Sequence, residues 1–124
     1  MSFDWHDYFL FAQKLTANPN LPGPEEAALR SAISRAYYSA YIQSRRWAEA
    51  RGLIISGSTH KAVIDYFKQS RDKSQKNIGY ELDRLRLYRT EADYDNALKS
   101  GSPSSVASMA ITLANRVISN LLSL

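Results

Sequence analysis

The 124-residue chain has no cysteine. That excludes disulfides, a thiol nucleophile and thiolate metal sites, and it gives no sign of an oxidising compartment. Histidine is scarce: the two present, His6 and His60, lie 54 residues apart, too far for a local zinc motif. No glycine-rich loop resembles a phosphate cradle, and no GxSxG elbow occurs. The lone Gly-Ser pair in ISGST reads as a turn, with Ser58 or Thr59 as a helix cap. No apolar run approaches the roughly 18 residues of a membrane span. The opening MSFDWHDYFLF carries acids where a signal peptide carries basic residues, so a cytoplasmic protein is expected.

Proline is also scarce, and three of the four fall in one loop, NPNLPGP (18–24). SGST (56–59) and KSGSPSS (99–105) mark two further breaks, the latter with Ser102 as N-cap and Pro103 at a first helical position. Between the breaks the apolar residues recur at helical spacing. The first segment offers Phe3, Tyr8, Phe11, Ala12 and Leu15. The second, Glu25 to about Arg51, offers a broad face running from Ala28 and Leu29 through Ala32, Ile33, Ala36, Tyr37, Ala40 and Tyr41 to Trp47, with Gly52 as its stop. The third, Thr59 to about Arg71, buries Val63, Ile64 and Phe67. The fourth, about Lys76 to Asp93, carries Leu82, Leu85, Tyr88 and Ala92. The fifth, Ser104 to Leu122, carries Val106, Met109, Ala110, Leu113, Val117, Leu121 and Leu122. No segment alternates with period two. The expected fold is all-α, one up-and-down bundle of four to five helices over residues 1–124, with the small residues of the second helix placing it at the centre.

Charge is present in excess but unevenly. Residues 1–29 sum to −3, residues 30–51 to +4, and residues 52–100 to +2. The basic excess on the second helix fits an anionic partner such as RNA or an acidic protein, but on charge alone it fits a plain solvated face better. Arg35, among Ile33, Ala36 and Tyr37, needs a counter-charge if buried, and Glu91, Asp93 and Asp95 are the nearest candidates. The densest ionic stretch is RLRLYRTEADYD (84–95). In it Arg86 and Arg89 share one side of a helix, and Arg89 and Asp93 are spaced for an i,i+4 pair. Either they form a surface ion-pair row or they hold a phosphate at the helix end. His60, opening the third helix, is either a packed histidine or a proton shuttle.

Three stretches in order, SRAYYSAY (34–41), STHKAVIDYF (58–67) and LDRLRLYRTEADYD (82–95), resemble the small stand-alone HEPN-domain proteins of prokaryotes, over about residues 5–120. The resemblance implies a helical bundle, commonly a homodimer. Many such proteins are metal-independent ribonucleases, and several are toxins whose antitoxin is a minimal nucleotidyltransferase. In them an Arg-x4–6-His motif at a helix end forms the site, the arginine holding the scissile phosphate and the histidine assisting the 2′-hydroxyl. Here Arg89 fits the motif arginine and Thr90 the polar position after it. Tyr94 stands where the shortest motif places histidine, and no arginine of the chain has a histidine five to seven residues after it. Tyrosine titrates near pH 10 and is a poor base at neutrality. Losing a general base costs about 10²–10⁴-fold in rate.

The resemblance therefore implies a toxin–antitoxin-like binding module with a degenerate nuclease motif. It would engage RNA, a nucleotide or a nucleotidyltransferase through Arg35, Arg86, Arg89, Asp93 and Tyr94. A working ribonuclease using Arg89, Tyr94 and His60 is the alternative, and a purely structural bundle the third. No metal or cofactor is expected.

Overall fold

The computed structural model describes residues 2–124. It is all-α, with α1 (His6–Ala17), α2 (Glu25–Glu49), α3 (Thr59–Lys68), α4 (Lys73–Tyr94) and α5 (Pro103–Ser123) around one continuous core. No described helix is long and apolar enough to cross a membrane.

The helix ends follow local chemistry. Ser58 accepts from the Lys61 N–H and Ser102 from that of Ser105, with Pro103 in the first turn of α5. Asp72 caps α4 by accepting from the Ser74 N–H at 2.8 Å, which starts that helix three residues earlier than its apolar spacing suggests. Past the end of α2, Gly52 takes a positive φ of 99°. Its N–H bonds to Glu49 O and that of Leu53 to Ala48 O, the paired bonds of a Schellman stop.

Helix α2 packs against all four other helices. Its buried Ala28, Ala32, Ala36 and Ala40 form an i,i+4 row that permits close approach. Ser39 is buried too, and its hydroxyl donates to Trp5 O at 2.8 Å.

Two expected stripes shift. In α1 the buried residues are Phe9, Ala12 and Leu15. Phe11 is exposed, pointing about 200° around the helix from Phe9, and Phe3 precedes the helix and meets Trp5 and Tyr8 edge-on. In α5 Ala107, Ala114 and Ile118 join Val106, Ala110, Val117 and Leu121, while Met109 and Leu122 face outward. The small side chains at 107 and 114 are what let α5 lie against its neighbours.

Helix α3 meets α4 at Gly79. A Cβ built there would stand 2.6 Å from Lys68 N and 3.0 Å from Lys68 Cα. The Lys68 ammonium bridges to Asp83 at 2.6 Å across the same contact. Helix propensity alone favours Gly79→Ala by about 1 kcal/mol. The clash with backbone reverses the sign: Gly79→Ala should destabilise by about 1–3 kcal/mol, read as a lower urea midpoint at unchanged slope.

Candidate functional site

Helices α2 and α4 run antiparallel, and a polar row on α2 meets the C-terminal half of α4 step by step. The row is Arg30, Ser34, Tyr37 and Tyr41, at helical spacing.

Arg30 makes the first step. Its Nη1 donates to the carbonyls of Ala92 at 3.1 Å and Asp95 at 2.6 Å, and its Nη2 to that of Asn96 at 3.0 Å. Its Nε bonds to Glu26 at 3.0 Å. A guanidinium on orphan carbonyls at a helix C-terminus is favourable for hydrogen bonding and for the helix dipole. Glu91 completes the closure from the other side. It is buried, and its Oε1 accepts from the N–H groups of Lys99 and Ser100, both at 2.9 Å, while Oε2 accepts from the Ser100 hydroxyl at 2.6 Å. Burial acts to raise its pKa, but the hydroxyl and the two amides together hold the carboxyl below its usual value.

The second step pairs Ser34 with Asp93, hydroxyl to Oδ2 at 3.4 Å. The third step is Arg89, which is only 8% exposed. Its guanidinium lies over the rings of Tyr37 at 5.3 Å and Tyr38 at 5.5 Å. Its Nη1 reaches Asp93 Oδ2 at a long 3.8 Å, and its buried Nε has no hydrogen-bond acceptor among the described residues. The arginine is thus held by ring faces more than by acceptors.

The fourth step brings in α3. The Tyr37 hydroxyl and His60 Nδ1 are 2.5 Å apart, and the His60 ring stacks on Tyr41 at 4.5 Å. Burial pushes the Tyr37 phenol well above its ordinary value, outweighing the opposing pull of Arg86 and Arg89, so it stays a neutral hydroxyl. The His60 pKa is lowered, first by burial and then by the positive field of Arg86, Arg89 and Arg45. His60 is therefore the neutral, proton-accepting form at pH 7.

The expected residues thus divide. Arg86, Arg89, Asp93 and His60 gather along one seam, joined through Tyr37. Tyr94 is 74% exposed and makes no hydrogen bond or ring contact with this group, and Thr90 bonds back to Arg86 O. Arg35 does not pair with Glu91, Asp93 or Asp95. It faces α1 with its guanidinium 4.8 Å above the Tyr8 ring, and Arg30, five residues earlier, takes the end of α4 instead. Arg30, Tyr37 and Tyr38 were not among the expected site residues. The i,i+4,i+7 spacing of Arg30, Ser34 and Tyr37 was the signal that could have found the first two. Among the described residues, no three histidine or acidic side chains cluster as metal ligands do. The chain matches no protein-family model, no curated protein and no solved structure.

Two outcomes are expected. Because the folded pKa of Glu91 is depressed, its contribution is complete above the unfolded glutamate value of about 4.3 and is lost as pH falls through the lower folded value. Glu91→Gln should flatten that acid limb of the stability curve and cost about 1–3 kcal/mol at neutral pH. In an NMR titration His60 should titrate below the free value of about 6.5, and Arg86→Gln should move it upward, part of the way back.

Proposed function

We propose that the chain is a HEPN-like helical module that binds RNA through backbone phosphate at the α2–α3–α4 seam. The observation that carries this reading is Arg89: a buried cation on two tyrosine faces, with its Nε lacking an acceptor. A phosphate oxygen meeting the exposed tenth of the side chain supplies an acceptor to a cation that has few, and arginine is the side chain suited to it. Arg86 adds a second positive charge, and the bases of a single strand have aromatic faces such as Tyr38 to meet. The closure of α4 by Arg30 and Glu91 supports the same reading. It leaves Arg89 and Asp93 without the structural task of ending the helix. Leu87, Thr90 and Tyr94 form an exposed i,i+3,i+7 row beside the arginines. A second copy, or a nucleotidyltransferase-type partner in a toxin–antitoxin-like pair, would dock there under this proposal.

A second reading, residual ribonuclease activity, is favoured by His60. A histidine neutral at pH 7 can accept a proton from a ribose 2′-hydroxyl, with burial and the field of Arg86 and Arg89 weakening it as a base. That requires the tautomer in which Nδ1–H donates to the Tyr37 oxygen and Nε2 is free. Tyr94 is no substitute for it, being a phenol with no partner in the seam.

The test is fluorescence anisotropy with a single-stranded RNA across a salt series, in chelator. Binding should weaken with salt, and Arg89→Ala or the partly exposed Arg86→Gln should weaken it about tenfold or more. Full affinity in both folded variants would overturn the proposal. Cleavage in chelator that is lost in His60→Ala but kept in Tyr94→Phe would establish the second reading.

A further inference from the structure

A separate face of α4 carries a groove against α5, of about 490 Å³. That lies within the roughly 300–1,000 Å³ of ligand sites. Its apolar lining comes from Tyr80, Tyr88, Met109 and Leu113. The Tyr88 hydroxyl reaches Met109 Sδ at 3.7 Å, which turns an otherwise polar phenol into part of the floor.

Three ionic groups converge on this lining. Arg84 and Arg116 are both exposed, and neither has a carboxylate within 4.0 Å among the described residues. Glu81 lines the same wall. Its Oε2 is buried and receives no hydrogen bond from the described residues. Burial raises its pKa, and the nearby Arg116 opposes that rise without closing into a bridge. Two unpaired guanidiniums, one acceptor short of a donor and an apolar floor are complementary to a single kind of molecule. Such a molecule carries an anionic group and an N–H donor on a flat apolar body.

We infer that the α4–α5 groove is a binding site for a small amphipathic anion: a flat apolar ring system bearing an N–H donor and one carboxylate, sulfonate or phosphate. The ring lies on Met109, Tyr80 and Leu113, the N–H donates to Glu81, and the anionic group pairs with Arg116 and Arg84. This site shares no residue with the Arg89 seam and does not depend on the RNA-binding reading.

The chain has two methionines, Met1 and Met109, so methyl-labelled methionine gives a direct reporter inside the groove. The probe is 8-anilinonaphthalene-1-sulfonate, which has the ring, the N–H and the anion. N-phenyl-1-naphthylamine, the same amine without the sulfonate, is the comparison. The expected result is a saturable shift of the Met109 signal, with the sulfonate probe binding about tenfold tighter than the neutral one. Arg116→Gln and, independently, Arg84→Gln should each erase most of that difference, with helical circular dichroism unchanged. Glu81→Gln should weaken the neutral probe, since an amide oxygen accepts less strongly than a carboxylate. An unmoved Met109 signal, equal affinity for the two probes, or wild-type binding in both arginine variants would overturn the assignment. So would a Met109 shift that depends on protein concentration without probe, because the groove would then be a contact between copies.

Discussion

The antiparallel contact of α2 with α4 is the constraint on which the remainder of the seam depends. Arg30 fixes its axial register by gripping the carbonyls at the end of α4. Once that register is set, residues four, seven and eleven positions further along α2 must meet α4 progressively earlier in its sequence. Ser34 therefore falls opposite Asp93, and Tyr37 opposite Arg89. Tyr37 and Tyr41 then reach the start of α3 and its histidine. One hydrogen-bonded cap thus determines which side chains share the seam.

That geometry explains why the sequence was legible in some places and not in others. The five helices could be read, because each carries an apolar row of its own and most carry a cap: Ser58, Ser102 and Gly52 lie where local chemistry needs them. The α1 row was misplaced because its aromatic residues occur nearly every turn on both sides. Only the partner helix decides that Phe9 goes in and Phe11 stays out. Arg35 was misassigned for a related reason. An arginine among apolar neighbours signals that something must receive its charge, but not whether that is a carboxylate or a ring face. Here it is the Tyr8 ring. The grouping of His60 with Arg89 could be posed from the sequence but not placed, since it depends on a contact between helices more than twenty residues apart. The HEPN resemblance drew attention to Arg89 and His60 but supplied no link between them. Tyr37 is that link.

The chemistry of the seam follows from keeping cations in a place short of acceptors. Water would satisfy a guanidinium on all five N–H bonds. In the fold Arg89 exchanges water for two tyrosine faces and one distant carboxylate oxygen. A cation–π contact contributes about 0.5–2 kcal/mol. A hydrogen bond to a charged group contributes about 1.5–3 kcal/mol, and leaving such a group unsatisfied costs at least as much. The aromatic faces therefore offset only part of what burial takes away. They satisfy none of its N–H groups, because a ring above the guanidinium occupies no hydrogen-bond site, and Nε stays buried without an acceptor among the described residues.

Under the proposed function, a guanidinium held from above by rings and short of acceptors in its plane takes its acceptor from outside. Burial first, and the positive field of Arg86, Arg89 and Arg45 second, keep His60 neutral, and the buried phenol of Tyr37 bonds to that histidine without ionising. Were Asp93 drawn in to a short, two-pronged pair with Arg89, the cation would be satisfied internally and the field on His60 would fall. The 3.8 Å separation keeps both properties. Under the proposed function anion affinity rests on that incomplete ion pair, whereas the neutrality of His60 rests first on burial and only then on the field of the arginines.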